Sequence, residues 1–150
     1  MEVIIPVPSI DRTIFHELGH LIIGEVLHLE YENTELAITI HFSQKHVTYL
    51  NTEYDEASSR EKLVKLLLVS LGGEILEEVI IGNIMEEGLK NDHEYFSAIE
   101  DIIKRIHGKK VDRIELSRIC RDIFKNYNQE IIQLYNHIKN KKSTEVLILP

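Results

Sequence analysis

Apolar residues recur at helical spacing over most of the chain. The pattern predicts four helices, at about residues 10 to 29, 58 to 82, 92 to 107 and 112 to 141. Their proposed starts are Ser58 with Glu61, Asn91 with Glu94 and Asp112 with Glu115, each an N-cap side chain followed three residues later by glutamate. Gly82 and Gly108 are placed to end the second and third helices.

The pattern changes between the first two predicted helices. Residues 35 to 50, ELAITIHFSQKHVTYL, have the β-branched and aromatic content of two strands, with SQK as a polar turn. We therefore expect a mainly α fold of the α+β class, with about four helices and a small β-hairpin sheet. The length of 150 residues fits one domain. The tail STEVLILP is either a further strand or an apolar segment that docks on a second copy or another partner.

A glycine pair, Gly72 and Gly73, interrupts the second predicted helix. Each glycine costs a helix roughly 1 kcal/mol relative to alanine. We expect that another backbone packs closely against this point.

Composition narrows the functions that the chain can have. The net charge of -8 disfavours nucleic acid and anionic membranes as partners, because both repel an acidic surface. The apolar runs are too short to span a bilayer, and the N-terminus lacks a signal-peptide pattern, so we expect a cytoplasmic protein. Cys120 is the only cysteine and is interpreted as a small core residue. Any metal must therefore be held by nitrogen and oxygen.

The motif HELGH, residues 16 to 20, lies on the first predicted helix. His16 and His20 are four residues apart and share one face, while Glu17 points roughly 100° away from His16. This is the geometry of a zincin-like HExxH helix, a motif in which two histidines bind Zn²⁺ and the glutamate is the general base. The extended pattern HExxHxxGxxH is absent, because Ile23 and Val26 occupy its last two positions.

A catalytic zinc site needs a third protein ligand. On the residues alone, the candidates are Glu74, Glu77 and Glu78 of the second helix and Asp92 in the first turn of the third. A helix N-terminus stabilises an ionised carboxylate such as Asp92, although aspartate is also an ordinary residue at a helix start. The clusters Glu77-Glu78 and Glu86-Glu87 are otherwise interpreted as solvated faces and loops.

A resemblance to a known protein family favours one of these candidates. Residues 70 to 98, SLGGEILEEVIIGNIMEEGLKNDHEYFSA, are similar to the stretch of FtsH-type zinc metalloproteases that contains a glycine pair, two glutamates and Asn-Asp. HELGH resembles the HEAGH motif of that family, and the likeness covers about residues 12 to 106. It implies a peptidase domain in which His16, His20 and Asp92 bind zinc and Glu17 is the base.

The chain also departs from that family. Nothing in it matches a phosphate-binding glycine loop or a membrane anchor. We therefore expect ATP-independent hydrolysis of peptide bonds in unstructured peptides or tails. An exposed hairpin edge, at residues 35 to 42 or 46 to 51, is the expected binding place for an extended peptide or flexible protein substrate.

Two other functions are consistent with the sequence. The first is a zinc-stabilised binding or regulatory module, an inactive peptidase homologue. The second is a metal-free helical interaction domain. His41, His46 and His93 are candidates for a proton donor or an oxyanion contact, but each is interpreted as an ordinary polar residue.

Overall fold

The computed structural model describes residues 9–27, 54–83 and 89–139, together with the backbone of three short strands. Side chains are described from residue 11 onward within those three ranges. The helices are α1 (Ser9–Val26), α2 (Arg60–Ile81), α3 (Lys90–Ile102), α4 (Arg113–Asn126) and α5 (Asn128–Lys139). A π-helical turn, Ile103–His107, continues α3.

Helix α2 is the central helix of the described structure. Its residues from Leu66 to Glu77 are all buried, because α1, α3 and α4 pack around it. A helix enclosed on several sides is apolar around most of its circumference, as LLLVSLGGEIL is. Helix α5 packs on α1, where the rings of Phe15 and Tyr135 stack with centroids 4.3 Å apart.

The glycines explain how closely α1 approaches α2. A Cβ atom on Gly72 would lie 2.6 Å from the carbonyl oxygen of Gly19, and a Cβ atom on Gly19 would overlap the backbone of Gly72. Backbone therefore meets backbone at the crossing. The expectation that another backbone packs against the glycine pair is confirmed.

The helix ends agree in part with the sequence signals. Gly82 and Gly108 do end helices, with φ of 94° and 74° in the left-handed region that glycine adopts without strain. Asp112 caps α4 by accepting a hydrogen bond from the Ile114 N–H at 3.0 Å. The cap of α2 is Ser59, which accepts from the Lys62 N–H at 3.1 Å, so the prediction of Ser58 is wrong by one residue. Asn91 lies inside α3 and does not cap it.

The fourth predicted helix is two helices. The chain leaves α-helical geometry at Tyr127, with φ -112° and ψ 21°. Asn126 and Asn128 flank this residue, and asparagine is a poor helix former because its side chain competes for backbone hydrogen bonds. The break allows α5 to reach α1, where the Tyr135 hydroxyl donates to Asp11 Oδ1 at 2.7 Å.

The predicted α+β class is wrong, because the class is mainly α. In residues 9–27, 54–83 and 89–139, helices account for 84% of the chain. They form five helices rather than about four. The buried apolar side chains that the structure describes lie on the helices and their caps, so helix packing builds the described core.

The strands β1 (Leu36–His41), β2 (His46–Thr48) and β3 (Glu145–Leu149) are described only by their backbone. They pair antiparallel in the order β2-β1-β3. Strand β1 pairs with β2 at Thr39–His41 and with β3 at Leu36–Ile40, so it lies between two strands and is not the edge strand that was predicted at residues 35 to 42.

Within the described residues, no helix has the combination of length and apolar character that a membrane crossing requires.

Candidate metal centre

Three side chains from two helices converge beside the crossing of α1 and α2. His16 and His20 lie one turn apart on α1, and Asp92 lies in the first turn of α3. The Asp92 Oδ2 atom is 2.7 Å from His16 Nε2 and 3.1 Å from His20 Nε2. The two Nε2 atoms are themselves 3.1 Å apart. The structure thus brings two nitrogens and one carboxylate oxygen to one point.

The hydrogen bonds of the two Nδ1 atoms show that the Nε2 atoms of His16 and His20 are acceptors where they meet Asp92. His20 Nδ1 lies 2.6 Å from the carbonyl oxygen of Val69 and must donate to it, because a carbonyl can only accept. His16 Nδ1 lies 2.8 Å from Glu77 Oε2, which as a carboxylate also accepts. In their neutral forms both rings therefore present an Nε2 lone pair toward Asp92. Three acceptors this close repel one another unless a cation, either protons or a metal ion, lies among them.

The spacing of these atoms fits a metal ion. Tetrahedral zinc with bonds of roughly 2.0 to 2.1 Å holds its ligands roughly 3.3 Å apart. The three separations, from 2.7 to 3.1 Å, are slightly shorter than this. Two imidazoles and one carboxylate are also a donor set that catalytic zinc uses. The residues present therefore fit zinc.

Helix α2 supports the cluster from behind. The Ser70 hydroxyl donates to the carbonyl oxygen of Asp92 at 2.9 Å and fixes the start of α3. A Cβ atom on Gly73 would lie 2.6 Å from His20 Nε2 and 2.7 Å from His16 Nε2. Only glycine leaves room for both rings. Gly72 therefore permits the close helix crossing, and Gly73 permits the cluster.

Charges in the cluster are arranged to hold a cation. Burial lowers the pKa of His16, but its hydrogen bonds with Asp92 and Glu77 outweigh burial and raise that pKa to about 10. Burial raises the pKa of Asp92, but the charges and hydrogen bonds of His20 and His16 hold it far below its usual range. Without a metal ion, protons therefore supply the positive charge that these groups require.

Glu17 lies beside the cluster and is buried. Its Oε2 atom has no hydrogen-bond partner among the described residues. Burial raises the pKa of Glu17 well above its usual value, and the charges of Asp92 and Glu77 raise it further, while that of His16 lowers it. The chain thus holds a buried carboxyl group with one unpaired oxygen, whose pKa favours the protonated form, next to the three donors.

The rival third ligands lie elsewhere. Glu77 contacts His16 at Nδ1, on the far side of the ring from Asp92. Glu74 Oε1 accepts from Arg113 Nη2 at 3.1 Å, and Glu78 pairs with Arg121 at the surface. Glu77 is 3% exposed, so its interpretation as part of a solvated face is wrong.

Two residues of this region were not identified from the sequence. Arg12 Nη1 donates to Glu77 Oε1 at 3.0 Å, and its Nη2 donates to the side chain of Asn83. Arg12 precedes His16 by four residues, so helical spacing places both on one face and could have identified it. Asn83 had no such signal.

The remaining candidates have ordinary roles or cannot be placed. The His93 side chain is 46% exposed and lies 3.3 Å from Glu74. Cys120 is fully buried, as predicted for a core residue, and burial raises the pKa of its thiol to about 12. The side chains of His41 and His46, and the loop with Glu86 and Glu87, lie outside the described residues.

A known protein matches part of the chain. No protein-family model matches the chain. An ATP-dependent zinc metalloprotease FtsH from Trieres chinensis is 35% identical over 69 residues. The match supports a distant relationship to FtsH. The matched segment is 45% of this chain but 11% of the FtsH protein. The likeness to a zinc protease suggests zinc, and His16, His20 and Asp92 form a group that could hold a metal ion.

Proposed function

We propose that the chain is a zinc-dependent metallopeptidase in which His16, His20 and Asp92 hold the metal and Glu17 is the general base. The observation that carries this proposal is the convergence of His16 Nε2, His20 Nε2 and Asp92 Oδ2 within 2.7 to 3.1 Å of one another. The distant likeness to FtsH supports the same reaction class. We propose that the reaction is ATP-independent.

Zinc, when bound, supplies Lewis acidity, which polarises a peptide carbonyl and makes water more acidic. The chain's own contribution is proton transfer by Glu17. Its buried Oε2 has no partner in the described structure and can accept a proton from the attacking water. Glu17 would then pass that proton to the leaving amine.

Access to the cluster limits the substrates. The side chains of His16, Asp92 and His20 are 12%, 6% and 0% exposed. A folded protein surface cannot approach donors that are this deeply buried, whereas a single extended strand of polypeptide can. The proposed substrates are therefore unstructured peptides and flexible protein tails.

The test is a Glu17→Gln variant, assayed without ATP on an unstructured peptide library. The amide has the shape of glutamate but cannot take a proton, so we expect zinc content like wild type and cleavage reduced by about 100-fold or more. Glu78→Gln is the matched control, because Glu78 lies at the surface with Arg121 and should leave cleavage unchanged. Full cleavage by Glu17→Gln would show that Glu17 is not the base.

A second function is favoured by the burial of the donors. Structural zinc sites are closed, whereas catalytic sites keep an open position, and the exposure values above describe a nearly closed site. The chain would then be a zinc-stabilised binding or regulatory module. Zinc-loaded wild type that cleaves no member of the library would favour this module over the peptidase.

A further inference from the structure

We propose that Arg12 is a positioning residue of the metal centre. By holding the Glu77 carboxylate against Nδ1 of His16, Arg12 keeps His16 Nε2 directed at the metal and keeps Glu77 out of the metal's coordination. This inference rests on the proposed function, because it assumes that the cluster binds zinc.

The contacts form one chain of partners from Arg12 to the cluster. Arg12 Nη1 donates to Glu77 Oε1 at 3.0 Å, and Glu77 Oε2 accepts from His16 Nδ1 at 2.8 Å. Each carboxylate oxygen thus has its own partner. The His16 ring is fixed between Glu77 at Nδ1 and Asp92 at Nε2. Such partners orient a ligating imidazole and raise its basicity.

Charge explains why Glu77 needs Arg12. Glu77 is 3% exposed and Arg12 is 7% exposed, so both are withdrawn from water. A buried carboxylate is costly unless a cation lies beside it. Without Arg12, Glu77 can reduce that cost by turning toward the metal, which removes the anionic acceptor from His16 Nδ1.

Arg12 is itself held in place at the end of α2. Its Nη2 donates to the Asn83 side chain and its Nη1 lies 3.3 Å from the Asn83 carbonyl oxygen. Asn83 follows Gly82, whose φ of 94° turns the chain at the helix end. A cation at this end is favoured by the unpaired helix carbonyls. Lysine cannot replace this arrangement, because it lacks the planar fork that reaches Glu77 and Asn83 together.

The experiment measures zinc affinity by competition with a chromophoric chelator. Arg12→Met keeps most of the side-chain volume but removes the charge, and we expect the zinc Kd to rise by about 10-fold or more, the size that partners of metal ligands usually show. Arg12→Lys keeps the charge and should recover part of the loss. Arg113→Met is the matched control, because it removes another arginine that pairs with a glutamate of α2, Glu74. It should change Kd by less than about twofold.

A second measurement separates positioning from stability. Urea unfolding of the zinc-free proteins reports the structural loss, while Kd is measured where every variant is folded. A purely structural Arg12 would lower stability and leave Kd unchanged, and this result would overturn the inference. If Arg12→Met does not fold, Glu77→Gln takes its place, with the same expected rise in Kd. Wild type that binds no zinc would overturn the proposed function as well, whereas unchanged Kd in the variants would overturn the inference alone.

Discussion

At the scale of single residues, the centre depends on which partner each ring nitrogen of His16 and His20 has. Nδ1 of His20 is occupied by the Val69 carbonyl and Nδ1 of His16 by the Glu77 carboxylate. The two Nε2 atoms are left for Asp92 and a cation. This division makes protons and zinc competitors for the same place, so metal binding should depend on pH.

The pH dependence has a definite sign. Folded zinc-free protein holds the His16 proton up to a pKa of about 10, whereas the unfolded chain releases it near 6.5. The stabilisation from this shift is complete below pH 6.5 and is lost as the pH rises through about 10. Because zinc must displace that proton, we expect zinc affinity to rise by about tenfold per pH unit across this window.

Competition titrations at several pH values measure this slope. His93→Gln is the control, because His93 is half exposed and contacts Glu74 rather than the cluster, so its loss should leave the slope unchanged. Zinc affinity that is independent of pH between 7 and 9 would contradict the proton competition, since the His16 pKa shift lies across that interval.

Residue patterns alone identify part of this site. The spacing of His16 and His20 fixes their common face, which is a local property of a helix. Asp92 was chosen over Glu74, Glu77 and Glu78 because of the resemblance. No local rule decides which distant carboxylate lies beside the two histidines. Glu77 was misplaced for the same reason: a glutamate pair on a helix is usually solvated, and only the packing of α1 buries one member.

At the scale of the elements, the crossing of α1 and α2 determines where the donors lie. The carbonyl of Gly19 approaches Gly72, and the adjacent Gly73 lies under the two imidazoles. The helices can approach this closely only where both lack side chains. The backbone distance at the crossing and the room for the rings are therefore set together.

Gly19→Ala tests that coupling. Its Cβ would overlap the backbone of Gly72, which cannot move like a flexible side chain, so we expect a loss of unfolding free energy of about 3 kcal/mol or more. The comparison is Gly108→Ala, where a Cβ meets no neighbour and only the φ of 74° is unfavourable. That variant should lose about 1 to 2 kcal/mol. Equal losses in urea unfolding would argue against the close crossing.

Sequence signals predicted the elements unevenly. The glycine pair and the helix ends at Gly82 and Gly108 follow from local backbone rules and were confirmed. Division of the last helix at Tyr127 was missed, because its apolar spacing continues through the break. That break matters only when α5 must reach α1, which is a tertiary requirement. The α+β class was wrong because the buried apolar side chains that the structure describes lie on helices and their caps.

At the scale of the whole molecule, the centre joins segments that are far apart in the chain. Asp92 lies 76 residues after His16, and Asn83 lies 71 residues after Arg12. Contacts over such separations depend on the completed packing of α1, α2 and α3. Sequence reasoning could not predict pairs of this kind, such as Arg12 with Asn83. It did identify the HELGH motif that they support.

The proposed centre depends most on Asp92, the proposed third ligand, because its contacts with His16 and His20 connect α3 to α1. Elemental analysis of purified protein with and without Asp92→Ala tests it directly. Asp101→Ala is the matched control, since Asp101 is an exposed acid of the same helix, paired with Arg105. Zinc binding by the wild type should also raise the melting temperature.

We expect about one zinc ion per chain in the wild type and in Asp101→Ala, and less than about a tenth of that in Asp92→Ala. Equal zinc content in Asp92→Ala and wild type would contradict the proposed centre. So would wild type that contains no zinc and gains no thermal stability when zinc is added.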